Sequence, residues 1–291
     1  MADENRSPAP HRSVLFVPAD KPRAIEKAAT LGADALILDL EDAVAEDAKA
    51  QARQSAPAAV AAWREAGMRT LLRVNGVRTD FFSGDCAVAA KAKPDAVVVA
   101  KANRAETLLK VRAALDAAGY QGPVWAMIET PTAILNLRLI GEIAADVGLE
   151  ALLAGTNDLA VMLRCRLDEE RSALRPHLAQ IVLAARAYGL IAVDGVYNDF
   201  TDKAGFEFEA RAGKALGFDG KSLIHPSQVE AANRAFSPGK DEVDWASKVV
   251  AAFEDPEHDG RGAIALEGRM VERLHLDAAR AVLAMAQDRT E

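Results

Sequence analysis

Eight short apolar runs of β type, starting at residues 13, 35, 70, 96, 124, 151, 191 and 222, constrain this chain most. They are Ser13–Ala19, Ala35–Leu40, Thr70–Asn75, Ala96–Lys101, Val124–Glu129, Ala151–Thr156, Ile191–Gly195 and Ser222–His225. Runs such as Ala96-Val97-Val98-Val99 are apolar without alternation, which suits parallel strands covered on both faces. The alanine-rich stretches between them carry apolar residues at helical spacing, as Ile181, Leu183, Ala184 and Ala187 do. Gly32, Gly67, Gly119, Gly189 and Gly217 fall just before the next run, where helices close through a left-handed residue. Successive runs start about 22–40 residues apart, the spacing of βα units. With an eighth helix at Ser227–Phe236, the pattern predicts an α/β fold, a (β/α)8 barrel spanning 12–236. The alternative, a doubly wound open sheet, usually has fewer strands, and no G-x-G-x-x-G follows the first run.

Residues 1–11 read as a flexible N-terminal tail. After the Ser237-Pro238-Gly239 break, residues 237–291 read as a C-terminal helical extension. It has helical segments at Asp244–Phe253 and Asp277–Gln287 and a polar stretch at Asp255–Gly262, and is expected to pack on a neighbouring subunit. Half of the 291 residues are hydrophobic, which rules out a disordered chain. Thirty-five basic residues against 43 acidic ones, a net charge of −8, argue against nucleic acid and anionic membranes as partners. A local basic pocket for a small anion stays open. No run approaches a membrane span. Two cysteines, Cys86 and Cys165, with no C-x-x-C pair, rule out a disulfide scaffold and a thiolate zinc site and fit a reducing cytoplasm. The acidic start, Met1-Ala2-Asp3-Glu4, is unlike a secretory leader, so a cytoplasmic location is expected.

Barrel chemistry sits at the C-terminal ends of the strands. There the runs place Asp39, Glu41 and Asp42; Arg73 and Asn75; Lys101; Glu129; Thr156, Asn157 and Asp158; Asp194 and Tyr197; and Lys221 and His225. Charges inside apolar runs are costly unless paired or bound to metal, so this gathering is the functional signal. Glu129 and Asp158 end neighbouring strands. They are either two ligands of a hard cation such as Mg²⁺ or caps of the helices that follow. Arg73 is either a buried salt bridge to Asp39 or Glu41, or a fixed cation for a carboxylate or a developing enolate oxygen. The Asp39, Glu41 and Asp42 cluster either supports that cation site or orients Arg73 and Lys101. His225 reads more readily as a buried histidine bonded to backbone than as a general base. Lys21, Arg23 and Lys27 put positive charge at the start of the first helix, which suits phosphates but equally a solvated helix end.

Taken together, Arg12-Ser13-Val14-Leu15-Phe16-Val17-Pro18, Leu38-Asp39-Leu40-Glu41-Asp42-Ala43-Val44, Arg73-Val74-Asn75-Gly76, Ile128-Glu129-Thr130-Pro131, Gly155-Thr156-Asn157-Asp158-Leu159 and Gly220-Lys221-Ser222-Leu223-Ile224-His225-Pro226 resemble one family. It is the citrate lyase β-subunit-like branch of the HpcH/HpaI aldolase superfamily, which includes malyl-CoA, β-methylmalyl-CoA and citramalyl-CoA lyases. The resemblance spans about residues 12–285. It implies a (β/α)8 (TIM) barrel, a homotrimer or homohexamer, Mg²⁺ (Mn²⁺ as a substitute), and a coenzyme A thioester and a 2-oxoacid as small-molecule partners.

The resemblance makes Glu129 and Asp158 the metal ligands and Arg73 the contact to the reacting acyl group. It places Phe16, Lys21, Lys27, Ile224 and His225 where the family binds coenzyme A, and Asn157 is expected on the same substrate side. An acidic residue, usually Asp in Gly-x-Met-(Ile/Val)-Asp, enters the neighbouring subunit's site in the lyases. Here the stretch reads Gly268-Arg269-Met270-Val271-Glu272, one methylene longer. The expected activity is reversible cleavage of a 3-hydroxyacyl-CoA to acyl-CoA and a 2-oxoacid, with Glu272 protonating the enolate. The alternatives are a malyl-CoA thioesterase, a citrate lyase β-subunit working within a complex, and a non-catalytic CoA-binding relative.

Overall fold

The computed structural model describes residues 11–258 and 260–287. Eight parallel strands close a barrel in sequence order: β1 (Ser13–Pro18), β2 (Ala35–Asp39), β3 (Arg69–Val74), β4 (Ala96–Val99), β5 (Val124–Ile128), β6 (Leu149–Ala154), β7 (Ile191–Asp194) and β8 (Gly220–Leu223). The helices between them are α1 (Pro22–Ala28), α2 (Lys49–Glu65), α3 (Phe82–Ala92), α4 (Ala105–Ala118), the short pieces α5 (Pro131–Leu135), α6 (Leu137–Glu142) and α7 (Ala144–Val147), then α8 (Thr156–Leu163), α9 (Arg175–Ala187), α10 (Lys203–Leu216) and α11 (Val229–Phe236).

Apolar side chains alternate between two layers. Val14, Ile37, Leu71, Val98, Trp125 and Leu153 fill the barrel, while Leu36, Leu38, Leu72 and Val97 pack outward against the helices. Burial on both faces is why these runs lack polar alternation. The five glycines read as helix stops all have positive φ. Leu183, counted above with an apolar face, is 70% exposed.

The barrel closes where β1 pairs with β8, Ser13 opposite Lys221 and Leu15 opposite Leu223. The Ser13 hydroxyl donates to Asn233 Oδ1 at 2.6 Å, joining residues 220 apart. A Cβ at Gly220 would lie 1.7 Å from the His11 carbonyl oxygen, so only glycine fits. His11, assigned above to the tail, belongs instead to the barrel unit. It is 6% exposed, its ring 5.6 Å from that of Trp125. The rest of the expected tail lies outside the described residues.

Strand ends fall one to two residues short of the expected runs, leaving Asn75, Lys101 and Glu129 just beyond them. The last strand is displaced to Gly220–Leu223. Ile224 and His225 leave the ladder because the Gln228 side chain accepts both their N–H groups, at 3.1 and 3.3 Å.

A second compact unit begins at Ser237. It holds α12 (Lys240–Glu254), an antiparallel hairpin of β9 (Ala263–Leu266) and β10 (Arg269–Glu272), and α13 (Arg273–Gln287). The hairpin corrects the reading of this stretch as purely helical and polar. Glu267 and Gly268 have φ of 49° and 76°, the backbone of a type I′ two-residue turn. Ala246, Val249, Ile264, Val271 and Ala279 form the unit's core. No helix among the described residues is long and apolar enough to cross a membrane.

Candidate active site

Arg73 is the last inward-facing residue of β3, in register with Asp39 of β2. Its Nε and Nη2 donate to the two Asp39 oxygens at 2.7 and 2.6 Å, and its Nη1 lies 3.0 Å from Glu41. Phe16 lies under the guanidinium, 4.8 Å away, and Met127 Sδ is 3.7 Å from Nη1. Burial alone would lower the Arg73 pKa. Asp39, then Glu41, outweigh it, so the guanidinium stays charged. The salt bridge read from sequence is therefore present, to both acids. Asp39 also accepts the Glu41 and Ala43 N–H groups at 2.8 and 3.2 Å, which saturates it. Arg73, its Nη1 paired with Glu41, lines a cavity of about 300 Å³.

That cavity also brings together Phe16, Glu129, Asp158, Asn157 and Ile224 from the expected set. Glu129 is 3% exposed, and its Oε1 accepts the Lys101 N–H at 2.5 Å. Burial pushes its carboxyl up to about 7, and the charges of Glu41 and Asp158 add to this. Asp158 lies in the first turn of α8, with its side chain 40% exposed and 3.9 Å from Lys101 Nζ. Helix capping is not what these acids do. Thr130 caps α5 by accepting the Ala133 N–H, and the α8 cap position is Gly155, which has no side-chain bond.

Among the described residues no cluster of three or more His, Cys, Asp or Glu has metal-binding geometry. A cation here would rest on two carboxylates and take its other ligands from water and substrate, the habit of Mg²⁺. The chemistry of the donors fits, because a buried carboxylate beside two like charges is relieved by a nearby cation.

The other expected residues are arranged more loosely. Asn157 exchanges side-chain hydrogen bonds with Asn198, at 3.0 and 2.8 Å. Phe16 and Ile224 also line a second groove of about 110 Å³ beside Lys27 and Leu31. Lys21 lines neither space and pairs with Asp20 at 2.9 Å. His225 is half-buried, not buried as expected. Its Nδ1 accepts the Ser227 N–H at 3.2 Å, and its ring stacks 4.6 Å from Phe200, away from both spaces. Glu272 ends β10 in the second unit, its N–H donating to His275 Nδ1 at 2.9 Å.

Asp194 and Lys221, counted above at the rim, are fully buried behind it. Lys221 Nζ contacts Asp194 at 3.3 Å and Glu209 at 2.6 Å, and Arg171 contacts Asp194 at 2.7 Å. The same lysine donates to the Gly195 carbonyl while Asp194 accepts the Gly195 N–H at 2.8 Å. This fixes the chain leading to Val196, a cavity wall. Thr156, placed at the rim from sequence, lines the cavity too, and its buried Oγ1 has no protein partner; Met127 and Val196 were missed. Nothing in their local pattern separates them from core residues.

A closed barrel with its charged side chains gathered at the strand C-termini is built as barrel enzymes are. The chain belongs to the HpcH/HpaI aldolase/citrate lyase family, whose model matches residues 12–226. It is 44% identical over 278 residues to a (3S)-malyl-CoA thioesterase of Cereibacter sphaeroides, covering 96% of this chain and 95% of that one. It is 32% identical over 289 residues to the citrate lyase subunit beta of Escherichia coli, covering 98% and 96%. Its structure is similar to that of the CitE protein of Mycobacterium tuberculosis in complex with magnesium, acetoacetate and coenzyme A. There the TM-score is 0.80 and the identity 32%, over 96% of this chain and 99% of that one.

Proposed function

We propose that this protein hydrolyses the thioester of malyl-CoA or a closely related 3-hydroxyacyl-CoA, in a site that binds Mg²⁺ (or Mn²⁺) through Glu129 and Asp158. The observation that carries the reading is one cavity lined by the charged Arg73 and by the Glu129 and Asp158 carboxylates, with Asp39 and Asp42 beside them. Greater similarity to a thioesterase, 44% against 32% for the citrate lyase subunit, favours hydrolysis.

When bound, the cation supplies positive charge to substrate oxygens. Arg73 Nη1 holds the negative charge that develops on the acyl oxygen. Phe16 and Ile224 pack against the thioester arm, Lys27 meets the phosphates of coenzyme A, and Asn157 borders the same ligand. The second unit packs on a neighbouring copy in a homotrimer or homohexamer, so that Glu272 of the partner subunit completes the site. In hydrolysis, Glu272 takes a proton from the attacking water and the thiolate of coenzyme A leaves.

Carbon–carbon cleavage is the second reading, supported by similarity to a lyase subunit and by the acid at position 272. A base takes the 3-hydroxyl proton, the C2–C3 bond breaks, an oxoacid departs, and Glu272 protonates C2 of the acyl-CoA enolate held by Arg73. Purified protein with malyl-CoA and, separately, citramalyl-CoA distinguishes them. Free thiol without acetyl-CoA supports hydrolysis. Acetyl-CoA with glyoxylate or pyruvate supports cleavage, and no product from either substrate overturns both.

A further inference from the structure

Lys101 has a φ of 54°, in the left-handed region. Among the described residues four other non-glycine residues share that property, and each has a local reason. Lys93 and Arg164 close α3 and α8, Glu267 forms the hairpin turn, and Arg171 is held by its buried ion pairs. Lys101 closes no helix and joins no hairpin. It stands at the barrel mouth just beyond β4. Sparsely populated backbone of this kind persists only where its surroundings hold it, and it is concentrated at functional sites.

What it achieves is visible in the bonds around it. The chain doubles back at Lys101, and Asn103 N–H donates to the Lys101 carbonyl at 2.8 Å. As a result the N–H groups on both sides of the Lys101 α-carbon face the end of β5. Lys101 N–H donates to Glu129 Oε1 at 2.5 Å, and Ala102 N–H to the Met127 carbonyl at 3.3 Å. A third anchor is the Thr130 hydroxyl, donating to Asn103 Oδ1 at 2.5 Å. On the opposite side, a Cβ at Gly155 would lie 2.3 Å from Glu129 Cβ and 2.8 Å from Oε2, so β6 presses close as well. Glu129 is clamped between its two neighbouring strands, by a main-chain donor on one and a missing side chain on the other.

We propose that Lys101 is a positioning residue whose left-handed backbone, rather than its ammonium group, sets the Glu129 carboxylate for a divalent cation. This rests on the cation-binding reading given above. The ammonium lies 3.4 Å from Glu41 and 3.9 Å from Asp158, so its charge opposes a cation there. Backbone and charge therefore act in opposite senses, which allows a test.

The experiment measures Mn²⁺ affinity by electron paramagnetic resonance without substrate, for the full chain and for Lys101→Asn, Lys101→Gly and Lys101→Val, with a melting curve for each. Asparagine and glycine accept positive φ, whereas a β-branched valine there is a genuine outlier. The first two variants are expected to bind Mn²⁺ as tightly as the parent or a few-fold more tightly, and Lys101→Val about tenfold more weakly. Should Lys101→Val not fold, Lys101→Ala makes the same comparison with a smaller loss. Equal affinity in the valine or alanine variant and the asparagine variant overturns the inference. So does an asparagine variant as weak as valine, which would assign the role to the ammonium. A parent protein that binds no Mn²⁺ overturns the cation site itself.

Discussion

Replacing Lys221 by methionine tests how the wall behind the cavity is held. The lysine is fully buried, as is Asp194, and Arg171 and Glu209 are 3% and 7% exposed. Two cations and two carboxylates balance, and each cation touches both acids. Methionine keeps the volume but leaves two buried carboxylates facing one guanidinium. Removing one partner of a buried ion pair costs about 3–5 kcal/mol. At about 2–4 °C per kcal/mol for a unit of this size, the barrel should melt roughly 6–20 °C lower.

Burial pushes the Asp194 carboxyl up, but Lys221 and Arg171 outweigh it and hold it below its ordinary value. That stabilisation is present above the unfolded pKa and is lost as pH falls through the folded one. Without Lys221 the surplus carboxylate gains by taking a proton in the folded state, so the deficit should shrink as pH drops. Circular dichroism melts of the parent, Lys221→Met and the double variant Lys221→Met/Glu209→Gln provide the measurement. The double variant restores one acid against one base and should recover a substantial part of the loss. A single variant melting within about 2 °C of the parent, or a double variant no better than the single, would show that the four charges are not energetically coupled.

Arg73→Lys should lower turnover at least about 10²-fold, because one ammonium cannot bond both Asp39 oxygens and still face the cavity. Near-normal kcat would restrict Arg73 to its ion pair. Glu272→Gln should lose most turnover while still binding the CoA thioester in an equilibrium assay. Mixed with Arg73→Ala subunits it should recover part of the activity, and mixed oligomers without recovery would rule out a shared site. His11 has a pKa lowered to about 4, chiefly by burial and then by Arg69. The unfolded chain therefore takes a proton that the folded one refuses, and stability should fall as pH drops from about 6.5 to 4, by up to about 3 kcal/mol. His11→Phe should remove that slope from the difference between melting curves, and parallel curves would contradict the burial argument.

The barrel was legible because its strands are buried on both faces and its helices close on glycines, so composition and spacing carry the fold. Glu129 and Arg73 stood out as charges interrupting apolar runs. What stayed hidden depends on conformation or on distant partners. The φ of Lys101 has no signature in a lysine, and the Asn157–Asn198 pair joins residues 41 apart. Asp194 and Lys221 looked like rim residues because a strand's sequence does not say which face a strand-end charge takes. The β9–β10 hairpin was missed because its strands are only four residues each, and Glu267-Gly268 between them is a weak turn signal.

The pairing of β1 with β8 also sets a timetable for synthesis. At about 5–20 residues per second, roughly 10–40 s separate emergence of the first strand from that of the last. Throughout that interval the growing sheet has two open edges, and Ser13, Val14 and Leu15 of β1 lack the pairing to β8 that they will later have. Cooperative closure waits for contacts between the extremes of the barrel sequence, a high-contact-order step. A chain released early, short of Leu223, would keep an apolar parallel edge exposed, and its fate would be association with other chains rather than a smaller folded barrel.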